Sequence, residues 1–305
     1  MKIFAPKYVK SFKCIAQNCR HSCCVGWEID IDSDTMARYR SSQDKSILET
    51  ICEGENDELC RFRLNPDGRC MNLDDSGLCK IICKHGEGFI PEICREHPRF
   101  YNRTQRGFDM GIGMSCEAAC KIILSSEDYG ITEFGKSDEE SVRPPEFDAP
   151  AEIEKIYGIL SKKDIAYSER LEKIIKLYSI PKSILEDEMQ EREIFASLEY
   201  LDYSHKDSFL KYSYCNEVGK ENEKLLERAL AYYIFRHAGA ADSQTDFNAR
   251  LTLSLLLERL YATQLSSTKE TDFEAAVEAA RVISEELEYS EDNLENLLFD
   301  IEFSL

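Results

Sequence analysis

The chain has 305 residues, 43% of them hydrophobic, and a mean hydropathy of −0.43, which argues for a soluble globular protein of one large or two medium domains. Its formal net charge is −20 and unevenly spread: residues 1–120 carry 17 basic and 18 acidic side chains, a net of −1, and residues 121–305 carry 21 and 40, a net of −19. So acidic a body repels nucleic acid and anionic membranes, which excludes both as expected partners, and it favours a cationic partner such as a lysine-bearing protein.

The first residues, MKIFAPKYVKSF, contain no apolar stretch of the length an export signal needs, and no later run is long enough to span a membrane, so the expected location is the cytoplasm. Twelve of the thirteen cysteines precede residue 121, and only Cys215 follows. In a reducing compartment such density points to metal ligation rather than disulfides. The first cluster is Cys14-x4-Cys19-x3-Cys23-Cys24, four thiols within eleven residues. Cys19 and Cys23 share a face if that stretch is helical. Beside it, Trp27 reads as a core anchor. Two turn sequences, Asn65-Pro66-Asp67-Gly68 and Asp74-Asp75-Ser76-Gly77, deliver Cys70 and Cys79. Pro91 opens a predicted helix to Glu96 that carries Cys94. Ser115 caps a predicted helix, residues 116–125, that carries Cys116 and Cys120. The spacing matches neither a zinc ribbon nor a ferredoxin, so thiol density predicts a soft metal and leaves its identity open.

Residues 126–150 read as a charged, proline-rich linker around Pro144-Pro145. Beyond it, apolar residues recur at helical spacing: Ile153, Ile156, Tyr157 and Leu160; Leu225, Leu226, Leu230, Tyr233 and Ile234; then Leu251–Leu265 and Phe273–Leu287. The predicted fold class is therefore mainly α: a cysteine-rich metal-binding part of short elements over 1–125, then an α-helical bundle over 151–305, with no internal repeat. Gly111-Ile-Gly113 reads as a turn, not a nucleotide loop, because no strand–turn–helix pattern surrounds it.

A resemblance rests on five pieces in order: Phe12-x-Cys14-x4-Cys19-x3-Cys23-Cys24-x-Gly26-Trp27, Gly68-Arg69-Cys70, Gly77-Leu78-Cys79, Pro91-x-x-Cys94-Arg95-x-x-Pro98-Arg99 and Met114-Ser115-Cys116. Together these resemble the flagellin lysine-N-methylase family, within a wider group of zinc- or iron-chelating proteins with a CxxCxxCC-type cluster. The likeness covers about residues 6–125 and continues weakly through Tyr232-Tyr233-Ile234-Phe235-Arg236-His237. It implies methyl transfer from S-adenosyl-L-methionine (AdoMet) to a lysine of flagellin or a similar surface protein. It further implies a [4Fe–4S] cluster, or Zn2+, held among Cys14, Cys19, Cys23, Cys24, Cys60, Cys70, Cys79, Cys94 and Cys116. Cys52, Cys83, Cys120 and Cys215 fall outside the pattern and read as small buried hydrophobes. In this frame His237 and Tyr233 are the candidate catalytic residues. Arg236 is the candidate partner of the AdoMet carboxylate, Arg95 and Arg99 are candidate donors to the thiolates, and His97 is a supporting donor. A non-catalytic zinc- or iron-binding scaffold is the competing reading.

Overall fold

A computed structural model describes residues 1–52, 60–137, 144–211, 222–266 and 272–305. Cys215 lies outside the described residues, as do Tyr212, Tyr214 and the 138–143 part of the expected linker. The described chain forms two compact units: Lys13–Arg99 with Cys116–Ala118, and Met1–Phe12 with Phe100–Ser115 and Ala119–Leu305. The sequence partition at residues 125–150 does not coincide with this division.

The strands are β1 (Lys2–Pro6), β2 (Asp30–Ile31), β3 (Ile51–Cys52), β4 (Cys60–Phe62), β5 (Arg99–Thr104), β6 (Gly107–Ile112) and β7 (Ile131–Lys136). The helices are α1 (Ser33–Ser41), α2 (Lys80–His85), α3 (Glu92–Glu96), α4 (Glu117–Ser125), α5 (Ala149–Leu160), α6 (Tyr167–Leu177), α7 (Lys182–Glu186), α8 (Glu188–Ser197), α9 (Tyr203–Phe209), α10 (Glu223–His237), α11 (Gln244–Ser266), α12 (Phe273–Ile283) and α13 (Glu291–Ser304). The architecture is mainly α, as the periodicity predicts.

The cysteine-rich unit is built from short elements around the sheet β2-β4-β3. Its core is Ile29, Ile31, Met36, Tyr39, Ile47, Phe62, Ile81 and Ile90, joined by Cys70. Each such aliphatic side chain contributes roughly 1.5–3 kcal/mol by leaving water. The two predicted turns form, and they are copies of one another. Leu64–Cys70 and Leu73–Cys79 both read Leu-x-x-x-Gly-x-Cys. In each, the glycine N–H donates to the carbonyl three residues back (Asn65, 2.9 Å; Asp74, 3.0 Å) at a positive φ of 77° and 81°. In each, leucine and cysteine close an isolated antiparallel bridge. This short repeat corrects the expectation of none. Two copies alone give too little periodicity to stand out in the sequence.

In the larger unit a four-stranded sheet, β5-β6-β1-β7, pairs β1 parallel to β6 and antiparallel to β7. Thus residues 131–136, expected as linker, are an edge strand. The helices follow from uninterrupted apolar spacing and explicit caps. Asp148, Asp187, Asp202, Asp272 and Ser290 each accept a hydrogen bond from a backbone N–H of the first turn that follows them. Helix α10 is buried nearly all round, including Leu226, Leu230, Tyr232, Tyr233 and Phe235, which marks it as the central helix of the unit. The predicted Phe273–Leu287 helix is α12 continued by a π turn, Ser284–Glu288. Ser115 does not cap α4: its hydroxyl is buried without a hydrogen-bond partner.

Candidate functional site

Two groups of side chains bear on chemistry, one in each unit. The first is the set of thiols. No disulfide joins any of the twelve described cysteines. Residues 24–26 pair with the first repeat: Cys70 N–H donates to the Cys24 carbonyl at 2.8 Å and Gly26 N–H to the Gly68 carbonyl at 2.9 Å. The Cys24 thiol is held near 7 by its hydrogen bond with Cys23, with Ser22 and the Arg69 guanidinium assisting against burial. Cys23 is pushed far upward by the same hydrogen bond, by burial and by Cys24, Cys14 and Cys116. Burial pushes Cys94 to about 12, reinforced by Cys24, Cys79 and Cys70. Cys23 thus feels the charge of Cys14, Cys24 and Cys116, and Cys94 that of Cys24, Cys70 and Cys79. Cys60 is partly buried against the same core.

Cys19 faces a different partner. Its sulfur donates to the His21 carbonyl at 3.3 Å and approaches Glu117 Oε2 at 3.9 Å. Glu117, 2% exposed, also accepts from Arg20 N–H at 2.9 Å and Arg20 Nε at 3.1 Å. Cys19 follows a short 3-10 turn, Ala16–Asn18, so the helical face expected to join it to Cys23 is absent. Trp27 is only partly buried and is missing from the core.

The donor chemistry suits a soft metal. The placement does not: among the described residues no group of three or more His, Cys, Asp or Glu is arranged to hold a metal ion. A guanidinium acting on Cys24 is that of Arg69, which the sequence reading did not single out. Arg95 Nε faces Glu96 at 3.8 Å, and Arg99 Nη1 donates to the Arg95 carbonyl at 3.3 Å. Arg69 stands inside the Gly68-Arg69-Cys70 motif, which was the available signal. Burial depresses His97 to about 4.

The second group lies in the larger unit on α10 and the π turn. His237 Nε2 is 2.7 Å from Glu288 Oε1, and Tyr232 OH donates to Glu288 Oε2 at 2.9 Å. Arg236 Nε sits 3.3 Å from the same carboxylate, its Nη2 donates to the Glu288 carbonyl at 3.1 Å, and its Nη1 to Tyr232 OH at 3.3 Å. The guanidinium is sandwiched between the rings of Phe100 and Tyr289, 4.8 and 4.9 Å from their centroids. Asn102 Nδ2 ties down the end of α10 through the carbonyls of Phe235 and Arg236. Burial alone would raise the Glu288 carboxyl, but Arg236 and His237 outweigh it and hold it at about 2. Burial lowers His237, and the Glu288 hydrogen bond opposes that shift. Tyr233 stacks on His237 with ring centroids 6.5 Å apart, and its buried hydroxyl has no hydrogen-bond partner.

The structure therefore gathers His237, Tyr233 and Arg236 around Glu288, a residue the sequence reading missed. A π turn is a frequent companion of functional residues, but no periodicity pattern announces one. Arg236 spends its fork on Glu288 and Tyr232, so as placed it offers no free pair of donors to a cofactor carboxylate. Gly111 and Gly113 are packing glycines: a Cβ on Gly113 would lie 2.3 Å from Tyr289 Oη and 3.0 Å from Arg236 Nη1, and one on Gly111 would lie 2.2 Å from the Phe100 ring. Gly111 belongs to β6, not to a turn.

Comparison with known proteins gives partial matches. The chain is 26% identical over 134 residues to the "Lysine-N-methylase" of Salmonella typhimurium, a stretch covering 40% of this chain and 32% of that protein. A second such enzyme, from Salmonella choleraesuis, matches to the same extent. The "Flagellar biosynthetic protein FliU" of Salmonella muenchen is 25% identical over 134 residues, covering 40% of this chain and 77% of that protein. The match thus spans about a third of the length of the two methylases. No family model matches, and no solved structure does. The CxxCxxCC spacing of the wider group is not that of this chain, which has Cys14-x4-Cys19-x3-Cys23-Cys24. Among the described residues, no helix is long and apolar enough to cross a membrane.

Proposed function

We propose that this chain is an AdoMet-dependent protein-lysine N-methyltransferase acting on flagellin or a similar lysine-bearing surface protein. The observation that carries the reading is the 134-residue likeness to proteins named for lysine N-methylation. AdoMet supplies an electrophilic methyl group on a sulfonium. In transfer, the lysine nitrogen forms a bond to the methyl carbon as the carbon–sulfur bond breaks, and the bonding pair stays on sulfur. The nitrogen must be unprotonated, whereas a free lysine has a pKa of about 10.4. A proton acceptor or a desolvating site is therefore needed. His237, oriented by Glu288 and stacked on Tyr233, is the assigned acceptor, and Tyr233 is assigned to line the approach. The AdoMet carboxylate remains assigned to Arg236, on condition that its Tyr232 bond is released. The cysteine-ligated [4Fe–4S] cluster, or Zn2+, is part of this reading. The mutual electrostatic influence among Cys14, Cys23, Cys24 and Cys116, and of Cys24, Cys70 and Cys79 on Cys94, supports it, and the side-chain placement does not. Arg95 and Arg99 keep their assigned place beside Cys94.

The second reading is a non-catalytic zinc- or iron-binding scaffold, favoured by the same thiols and by the absence of a glycine-rich nucleotide turn at Gly111–Gly113. One experiment separates the two. The anaerobically purified chain is titrated with AdoMet in a calorimeter, then incubated with flagellin and methyl-labelled AdoMet. Saturable binding and label on lysine support the enzyme. Bound metal with neither binding nor transfer supports the scaffold.

A further inference from the structure

In the larger unit, α8 and α13 run beside one another: Gln190 Nε2 donates to Ser304 Oγ at 3.3 Å, and Glu199 and Asn293 exchange hydrogen bonds at 3.0 and 2.7 Å. Helix α13 buries Asn293, Leu297 and Ile301, spaced four apart, as its inner face. Its outer face should therefore be polar. Instead, Phe299 and Phe303 stand one turn apart at 69% and 89% exposure. Met189, Leu201, Tyr203 and Leu305 join them as exposed large hydrophobics. Half of the twelve such side chains among the described residues thus come from residues 189–203 and 299–305. Single exposed hydrophobics are ordinary on a protein surface, whereas two phenylalanines one turn apart on the outer face of a helix are not.

The charge around this group is as one-sided. Residues 186–203 and 291–305 hold eleven exposed or half-exposed acidic side chains, besides the buried Glu191, against the single Arg192. On α8, next to Gln190, the 1%-exposed Glu191 has a carboxylate oxygen with no hydrogen-bond partner. Aromatic anchors ringed by one sign of charge are complementary to an amphipathic segment of the opposite sign. Anionic lipid and nucleic acid are repelled by the same ring, and a second copy of this face would set like charge against like.

We propose that the α8–α13 face docks a lysine- or arginine-rich amphipathic segment of a partner protein, with Phe299 and Phe303 as apolar anchors and the acidic ring setting specificity. This goes beyond the methyl-transfer reading and does not depend on it. The test uses the whole chain and two fluorescein-labelled 20-residue helical peptides with the same leucine stripe, one flanked by lysines and one by glutamates. Fluorescence anisotropy is expected to show the lysine peptide binding at least tenfold more tightly than the glutamate peptide. The expected loss for Phe299→Ser/Phe303→Ser is at least tenfold. Both side chains point to solvent, so thermal melts of this variant should match the parent. No binding of the lysine peptide, equal binding of the two peptides, or full binding by the variant overturns the proposal. Self-association of the parent that the double substitution abolishes, or binding to phosphatidylserine vesicles, would also overturn it by identifying a different occupant.

Discussion

His237 Nε2 lies 2.7 Å from Glu288 Oε1, and the same oxygen meets Arg236 Nε at 3.3 Å, so one fully buried carboxylate serves two bases on the last turn of α10. Removing it leaves the buried Arg236 charge without its partner. Glu288→Ala should therefore destabilise the larger unit by about 3–5 kcal/mol, read as a shift in the urea midpoint. Arg236→Met/Glu288→Leu, which removes both charges, should recover most of the loss. Equal midpoints for the parent and Glu288→Ala would contradict this account.

Gly113→Ala tests the close approach beneath Arg236. The added carbon would sit 2.3 Å from Tyr289 Oη, and relieving that overlap should cost about 1–3 kcal/mol, the range of ordinary overpacking. Chemical denaturation reads it directly. A neutral result would mean that Tyr289 swings away freely.

Tyr233 separates structure from catalysis. Its hydroxyl is buried without a partner. Tyr233→Phe should therefore leave stability unchanged or raise it by roughly 1 kcal/mol, since an unsatisfied polar group leaves the interior. If the hydroxyl serves methyl transfer, kcat falls in the same variant. Lost stability would reveal a hydrogen bond to the hydroxyl.

Acid should weaken the cysteine-rich unit through His97. Its folded pKa of about 4 lies below the usual 6.5, so below pH 6.5 the unfolded chain takes up a proton that the folded one refuses. Stability present above pH 6.5 is lost as the pH falls towards 4, by roughly 3 kcal/mol over the whole window. Urea unfolding at pH 7.5 and 4.5 should show that fall, and His97→Gln should flatten it. A parent curve flat across this window would refute the assignment.

On the proposed metal reading, anaerobically purified protein carries iron with acid-labile sulfide, or zinc, and stripping it with a chelator lowers Tm. Metal-free protein with an unaltered Tm would leave the thiols as packing groups.

Several features were determined by the sequence itself. Uninterrupted apolar spacing set α10, α11 and α12, and the Asp272 cap starts the last of them, because helix formation depends on neighbours three and four residues away. The Asn-Pro-Asp-Gly and Asp-Asp-Ser-Gly turns, and their delivery of Cys70 and Cys79, are equally local. The candidates His237, Tyr233 and Arg236 were readable as one segment. Only the tertiary structure decided the rest. Glu288 reaches that segment from 51 residues along the chain, on a π turn whose geometry leaves no periodic trace. Arg69 acts on Cys24, and Glu117 meets Arg20 across 97 residues of sequence. Gly113 looked like a turn and proved to be room for Tyr289. Backbone preferences are written in adjacent residues, whereas the partner of a buried charge is fixed only when distant segments pack.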